Sequence, residues 1–295
     1  MYETQFADYL KLERNYSDRT VSSYLSDLEL FRRFLDDTEH GLDPANADRD
    51  MIRMWVVYMM EKGESSTTVN RRLSSLRTFY RYLRGRGILE SSPAASVRGP
   101  KNSKPLPQFV RESEMDEILD GDTFGTDFIG VRNSTVIAVF YEAGLRMAEL
   151  IGLDLKDVDL VSGTLKVTGK RDKQRIIPFG EELRERLARY IGLRGQTFPD
   201  AVSALFLSSK GERIPRHQVY KLVKGVLTDH SSVAKKSPHV LRHSFATSML
   251  NHDAELGAVR ELLGHESLAT TQIYVHTTFQ QLKDIYQQAH PRGDK

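Results

Sequence analysis

The chain has 295 residues, enough for two domains with separate cores, of which 39% are hydrophobic and 28% charged. The lack of cysteine excludes disulfide scaffolds and thiolate metal sites, and no apolar run is long enough to cross a bilayer. The formal net charge of +2 does not by itself imply nucleic acid, so the distribution of charge carries the information. The opening Met1-Tyr2-Glu3-Thr4-Gln5 is polar and acidic rather than signal-like, and points to a cytoplasmic protein.

Residues 1–96 read as about four helices. The first covers Phe6 to Leu12. Ser17 can cap a second over 18–37, whose Val21, Tyr24, Leu28, Phe31 and Leu35 recur every three or four residues. Asp48 or Asp50 can start a third, with Ile52, Trp55, Val56 and Met59. Ser65 or Ser66 can start a fourth, with Val69, Leu73, Leu76, Tyr80 and Leu83 as its apolar stripe. From Ser65 to Lys104 nine basic residues face a single acid, Glu90, which is a usable electrostatic footprint for a phosphate backbone. On the fourth helix Arg77, Arg81 and Arg84 lie together beside the stripe, Arg71 lies opposite it, and Arg72 falls close enough to be paired structurally. A solvated basic face is the bland reading of this pattern. The one-signed charge continuing into the next segment favours DNA.

Residues 97–110 hold three prolines, one glycine and no acid, with Lys101 and Lys104, and read as an extended basic linker. Residues 111–295 form the second domain, of mixed pattern. A helix over 127–143 is followed by short strands at Leu165-Lys166-Val167 and Arg175-Ile176-Ile177 around a polar turn. A helix over 181–192, a strand at Ala204-Leu205-Phe206-Leu207 and mostly helix thereafter complete it. Arg216 and Lys221, with His217, sit on a helix expected after Pro215 and are candidates for DNA contact.

The second domain also holds the residues that suggest chemistry. Arg146 follows Ala143-Gly144-Leu145. It can pair with Glu149 or Glu142, and a guanidinium is also the right group to hold two phosphate oxygens. Lys170 sits in the hairpin turn Thr168-Gly169-Lys170-Arg171-Asp172-Lys173, as a solvated lysine or as a proton donor, with Lys173 and Arg175 as competitors. Ser237 can cap a helix that Pro238 begins, which sets His239 and Arg242 on one face near its positive end, beside a buried stripe of Leu241, Phe245 and Met249. Gly264 can end a further helix as a left-handed cap, and His265 follows it. Tyr274 stands nine residues later. Its phenol, with an ordinary pKa of roughly 10, needs cationic neighbours or a base to attack at neutral pH. A zinc site from His239, His243 and His265 lacks a carboxylate or thiolate spaced to complete it, so no metal is assigned.

In this order, these residues resemble the tyrosine recombinase (lambda-integrase) family, and the Xer-type site-specific recombinases in particular. Nearly the whole chain takes part, from Tyr24-Leu25-Ser26-Asp27 through Asn70-Arg71-Arg72-Leu73-Ser74 to Ser237-Pro238-His239-Val240-Leu241-Arg242-His243 and Leu262-Leu263-Gly264-His265. The resemblance implies a mainly α fold with a small antiparallel β-sheet: an N-terminal helical, SAM-like core-binding domain and a mixed α/β catalytic domain. It implies Tyr274 as nucleophile, with Arg146, Arg242, His239 and His265 around the reacting phosphorus. Lys170 would be the acid for the 5′-oxygen, Glu149 would brace the first arginine, and no cofactor would be needed. Arg71, Arg72, Arg77, Arg81, Lys101, Lys104, Arg216 and Lys221 are the DNA-binding candidates.

The partners implied are double-stranded DNA with a short inverted-repeat core site, a homo- or hetero-tetramer on two such sites, and an activating DNA translocase. The apolar face of Phe279, Leu282, Ile285, Tyr286 and Ala289 fits either packing on its own domain or donation to a neighbouring protomer. The departures are Ala143, where many relatives have Thr, and Arg171-Asp172, where many have Gly-Asn; neither removes a reactive group. The helices begin almost at Met1, which favours recombination on a simple site. The resolution of chromosome or plasmid multimers is the leading expectation. A mobile-element integrase, a type IB topoisomerase and a non-catalytic DNA-binding regulator are the alternatives.

Overall fold

The structure is a computed structural model and describes residues 2–39, 41–102, 108–169, 172–264 and 279–293. The chain divides into two compact units, Met1–Pro105 and Leu106–Lys295.

The first unit is helical. Helix α1 (Tyr2–Asp8) runs on as a π-helical turn to Glu13, and α2 (Asp18–Glu39), α3 (Arg49–Glu61) and α4 (Ser66–Gly85) follow. Their starts are set locally. Ser17 Oγ accepts from Thr20 N, Asp48 Oδ1 from the amides of Asp50 and Met51, and Ser65 Oγ from Thr68 N. The apolar stripes meet in one core in which Phe31 packs on Trp55 at 5.0 Å and Phe6 on Phe79 at 5.3 Å. Tyr80, wholly buried, satisfies its hydroxyl on the Pro44 carbonyl at 2.7 Å. Ala94 and Val97 belong to this core, and Arg77 donates to both of their carbonyls, so the segment after α4 folds back along it.

The second unit is built around α6 (Phe128–Ala143), which is buried on nearly every side and is accordingly apolar all round. It packs chiefly against α8 (Glu181–Thr197) and α10 (Pro238–Asn251). Around these stand α5 (Glu112–Asp120), α7 (Met147–Gly152), α9 (Arg216–His230), α11 (Leu256–Leu263) and α12 (Phe279–Ala289). Strands β1 (Val158–Asp159), β2 (Thr164–Thr168) and β3 (Gln174–Pro178) form an antiparallel sheet in sequence order. In β2 and β3, Leu165 pairs with Ile177 and Val167 with Arg175.

One expected element differs. Residues 204–207 form no strand of this sheet: they make isolated bridges, Asp154 with Ala204 and Leu207 with Arg213. All four side chains are buried, so they drive the segment into the core rather than along a ladder.

Candidate active site

A sharp turn places the first arginine. Gly144 ends α6 in the left-handed conformation (φ +59°), and a Cβ there would stand 2.5 Å from the Phe245 ring, so only glycine fits. Leu145 is buried, and Arg146 becomes the residue before α7. Glu149, three residues on, accepts from Arg146 N at 2.8 Å (Oε2) and from Arg146 Nη1 at 2.7 Å (Oε1). The Glu149 side chain is 3% exposed and that of Arg146 38%, so the carboxylate is interior while the guanidinium is reachable.

Arg242 enters from α10. Its Nη1 donates to the Gly144 carbonyl at 2.7 Å and its Nη2 to the Leu263 carbonyl at 2.6 Å. The same Nη1 lies 3.7 Å from Glu149 Oε2. Burial first, and then the charge of Arg146, push its pKa down to about 10, which still leaves it cationic at neutral pH. His239, one turn earlier, is exposed, and its pKa is held below the ordinary value by partial desolvation first and then by the charges of Arg242, Lys235, Arg216 and Arg146.

A third guanidinium completes the cluster. Arg175, on β3, grips Glu149 with both ends of its fork, at 3.0 and 2.9 Å, and donates from Nε to the Leu262 carbonyl at 2.8 Å. Arg146 Nη2 reaches the Gly264 carbonyl at 3.2 Å. Three arginines thus hold three successive carbonyls, those of Leu262, Leu263 and Gly264, where α11 ends in the left-handed cap at Gly264 (φ +65°). The negative end of a helix favours cations there. For Glu149, burial would raise the pKa, but the hydrogen bonds from Arg175 and Arg146 outweigh it and hold the carboxyl below its usual range.

The geometry therefore brings together Arg146, Glu149, His239 and Arg242. Lys170, His265, Tyr274 and Lys104 lie outside the described residues. Ser237 precedes α10 as expected, but its Oγ is buried with no hydrogen-bond partner among the described residues, so Pro238 rather than a side-chain cap opens the helix. Arg175 was weighed in the sequence only as a competitor of Lys170. Its signal was positional: it shares a strand face with buried Ile177, where a charged side chain needs a partner. Lys235, whose charge acts on His239, was not singled out.

The basic candidates divide. Arg71 is paired with the buried Asp27, which also accepts from Ser75 at 2.7 Å, and Arg72 is paired with Glu64 at 2.9 Å. Arg77 holds backbone carbonyls. Arg81, Lys101, Arg216 and Lys221 are exposed. On α9, His217, Tyr220, Lys221 and Lys224 share one exposed face at helical spacing. Helix α12 packs on its own unit, against α10, α11 and β3, which agrees with the own-domain option for its apolar face.

Residues 108–281 match the model of the phage integrase family, and residues 4–87 that of the phage integrase N-terminal SAM-like domain. The tyrosine recombinase XerC of Pelotomaculum thermopropionicum is 38% identical, over 98% of this chain and 97% of that protein. The tyrosine recombinase XerD of Oceanobacillus iheyensis is 33% identical over 98% and 97%. Among solved structures, the XerH site-specific recombinase bound to a palindromic difH substrate, in a post-cleavage complex, superposes with a TM-score of 0.73 at 25% identity, over 96% of this chain and 83% of that one.

Proposed function

This chain belongs to the phage integrase family as a tyrosine recombinase of the Xer type, and from that premise we propose that Tyr274 is the nucleophile of its DNA-cleaving and rejoining reaction. The Tyr274 phenol gives up its proton to water as its oxygen attacks the scissile phosphorus, and a phosphotyrosyl bond to the 3′-phosphate forms as the bond to the 5′-oxygen breaks. Lys170 supplies the proton that this oxygen takes up. Arg146 and Arg242 hold the non-bridging oxygens, and His239 and His265 add hydrogen bonds as charge builds on phosphorus. Rejoining is the reverse attack by a 5′-hydroxyl. The phosphotyrosyl bond keeps the energy of the phosphodiester, so no nucleotide is consumed.

The observation that carries this reading is the convergence of Arg146, from the turn before α7, and Arg242, from α10, on one buried carboxylate and on the carbonyls of Leu263 and Gly264, directly before His265 in sequence. Such a fixed, paired guanidinium arrangement is preorganised for a doubly charged phosphorane. The exposed basic residues Arg81, Lys101, Arg216 and Lys221, with Lys104, then track the phosphate backbone.

Further features of the reading draw on the relatives. The similarity to XerC and XerD over almost the full length supports a role in resolving chromosome or plasmid multimers on a short inverted-repeat site, in the cytoplasm. Assembly is a homo- or hetero-tetramer on two sites, joined by α12, whose docking face on one protomer equally fits the α12 of the next. A DNA translocase activates it.

Trapping on DNA tests the chemistry. Wild type and Tyr274→Phe are incubated with nicked DNA in EDTA, denatured, and any covalently held DNA is sequenced. Attachment by wild type alone is the expected result, and the shared sequence identifies the site. Binding without attachment by either protein, also in cell extract, would leave a DNA-binding regulator.

A further inference from the structure

We infer that Arg175 is a positioning residue of strand cleavage, the counterion of Glu149 that leaves the charge of Arg146 and Arg242 free for the scissile phosphate. The inference rests on the proposed tyrosine chemistry and concerns a residue outside its reactive set.

Glu149 has two carboxylate oxygens, and Arg175 takes both, fork to fork, at 3.0 and 2.9 Å. Arg146 gives it one terminal nitrogen at 2.7 Å, and Arg242 stands back at 3.7 Å. Exposure separates Arg175 from Arg146, at 14% against 38%, while Arg242, at 9%, differs from Arg175 in its partners rather than its exposure. Burial alone would raise the Glu149 pKa, and the largest opposing influence is the hydrogen bonding from Arg175.

The charge balance gives the arrangement its purpose. A phosphodiester carries one negative charge, and attack by a phenolate makes a phosphorane carrying two. Three guanidiniums and one carboxylate leave two net positive charges at the site. Without Arg175, Glu149 takes its compensation from Arg146 and Arg242, and only one net positive charge is left to meet the phosphorane. Like charges packed this closely also need the carboxylate between them, so neither partner of the Arg175–Glu149 pair is dispensable.

Arg175 also sets geometry. Its Nε holds the Leu262 carbonyl at 2.8 Å, one residue before the carbonyl held by Arg242 and two before that held by Arg146. A Cβ on Gly264 would lie 3.2 Å from its guanidinium, so the end of α11 closes directly over it. β3, which carries Arg175, pairs antiparallel with β2, setting Arg175 opposite Val167.

The test compares cleavage of a nicked DNA site by wild type, Arg175→Gln and Arg175→Lys on two substrates. One has the ordinary scissile phosphodiester. The other has a methylphosphonate there, which removes one negative charge from the ground state and from the phosphorane. On the phosphodiester, Arg175→Gln is expected to slow covalent attachment on the order of 10²-fold while DNA binding, followed by gel shift, is kept. On the methylphosphonate the gap should shrink to less than about 10-fold, because the demand for the second cation has gone.

Arg175→Lys, which keeps the charge and loses the fork, should retain more activity than Arg175→Gln. In a Glu149→Gln background, Arg175→Gln should add little further loss, since no carboxylate remains to be neutralised. A gap of equal size on both substrates, or no gap, overturns the inference. If Arg175→Gln does not fold, the uncharged Arg175→Met takes its place: a loss that closes on the methylphosphonate supports the counterion role, and one that persists refutes it. Wild type that attaches to neither substrate overturns the tyrosine chemistry itself and this inference with it, a result distinct from a wild type that cleaves beside an equally active Arg175→Gln.

Discussion

Arg146 and Arg242 have different duties despite carrying the same charge. Arg242 is nearly buried and gives one N–H of each terminal nitrogen to a backbone carbonyl, which fixes the frame and leaves the second N–H of each for a phosphate oxygen. Arg146 shares Glu149 and remains accessible. Arg146→Ala should therefore lower covalent attachment to nicked DNA by about 10²–10³-fold with little loss of DNA affinity, measured as single-turnover cleavage beside a gel shift. Equal losses in both would mean a binding role only. Arg146, Glu149, His239 and Arg242 could be named from the sequence because each sits at a helix start or a local turn, where short-range spacing fixes direction. Arg175 could not be assigned its partner this way, since the carboxylate that it meets lies 26 residues away on another element.

At the level of elements, the docking of α12 and the residues after it exposes a pH-dependent balance. Tyr286 and Ala289 are buried, and His290 stacks on Tyr286 at 5.1 Å and on Phe245 at 5.7 Å. Arg292, 2% exposed, is tied to Asp116, Asp120 and Glu182. Nearby Glu142, on α6, is wholly buried with neither carboxylate oxygen hydrogen-bonded among the described residues, and burial pushes its pKa up to about 8 from 4.5.

Between those values the folded chain holds a proton that the unfolded chain has lost, so the contribution of Glu142 to stability falls as pH rises from 4.5 through 8. His290 runs the other way. Burial lowers its pKa from 6.5 to about 3, so its contribution is full above 6.5 and is lost as pH falls toward 3. Glu142→Gln is expected to raise Tm at pH 8 by about 2–4 °C relative to wild type, for each kcal/mol of ionisation cost removed, and to change it little at pH 5. A thermal melt at both pH values checks this, and an equal shift at both would rule out the titration as the cause. The apolar face of α12 was legible from spacing alone. That it closes over an unpaired carboxyl was not, because Glu142 reads as an ordinary helical acid until α8, α10 and α12 surround it.

On the scale of the whole molecule, two separate cores carry basic surfaces whose members are unequal. Asp27 and Glu64 already neutralise Arg71 and Arg72. Arg81, Arg216 and Lys221 are exposed, and no ion pair holds them among the described residues. Removing one of these three should weaken binding across DNA sequences and reduce the slope of log K against log salt by about one, whereas Arg72→Ala should act mainly on stability. Fluorescence anisotropy across a salt series checks this, and an unchanged slope for all three would remove them from the phosphate contacts.

The sequence by itself determined the family, the helical first unit, the hairpin and the local placement of Arg146, His239 and Arg242. Apolar periodicity, caps and a left-handed glycine act over a few residues and are written directly in the chain. Only the tertiary structure decided which cations share Glu149, that residues 204–207 are bridged rather than built into the sheet, and which arginines are already spent on internal partners. Those outcomes depend on which distant groups meet when the cores close, and burial then sets what each charge must find as a partner.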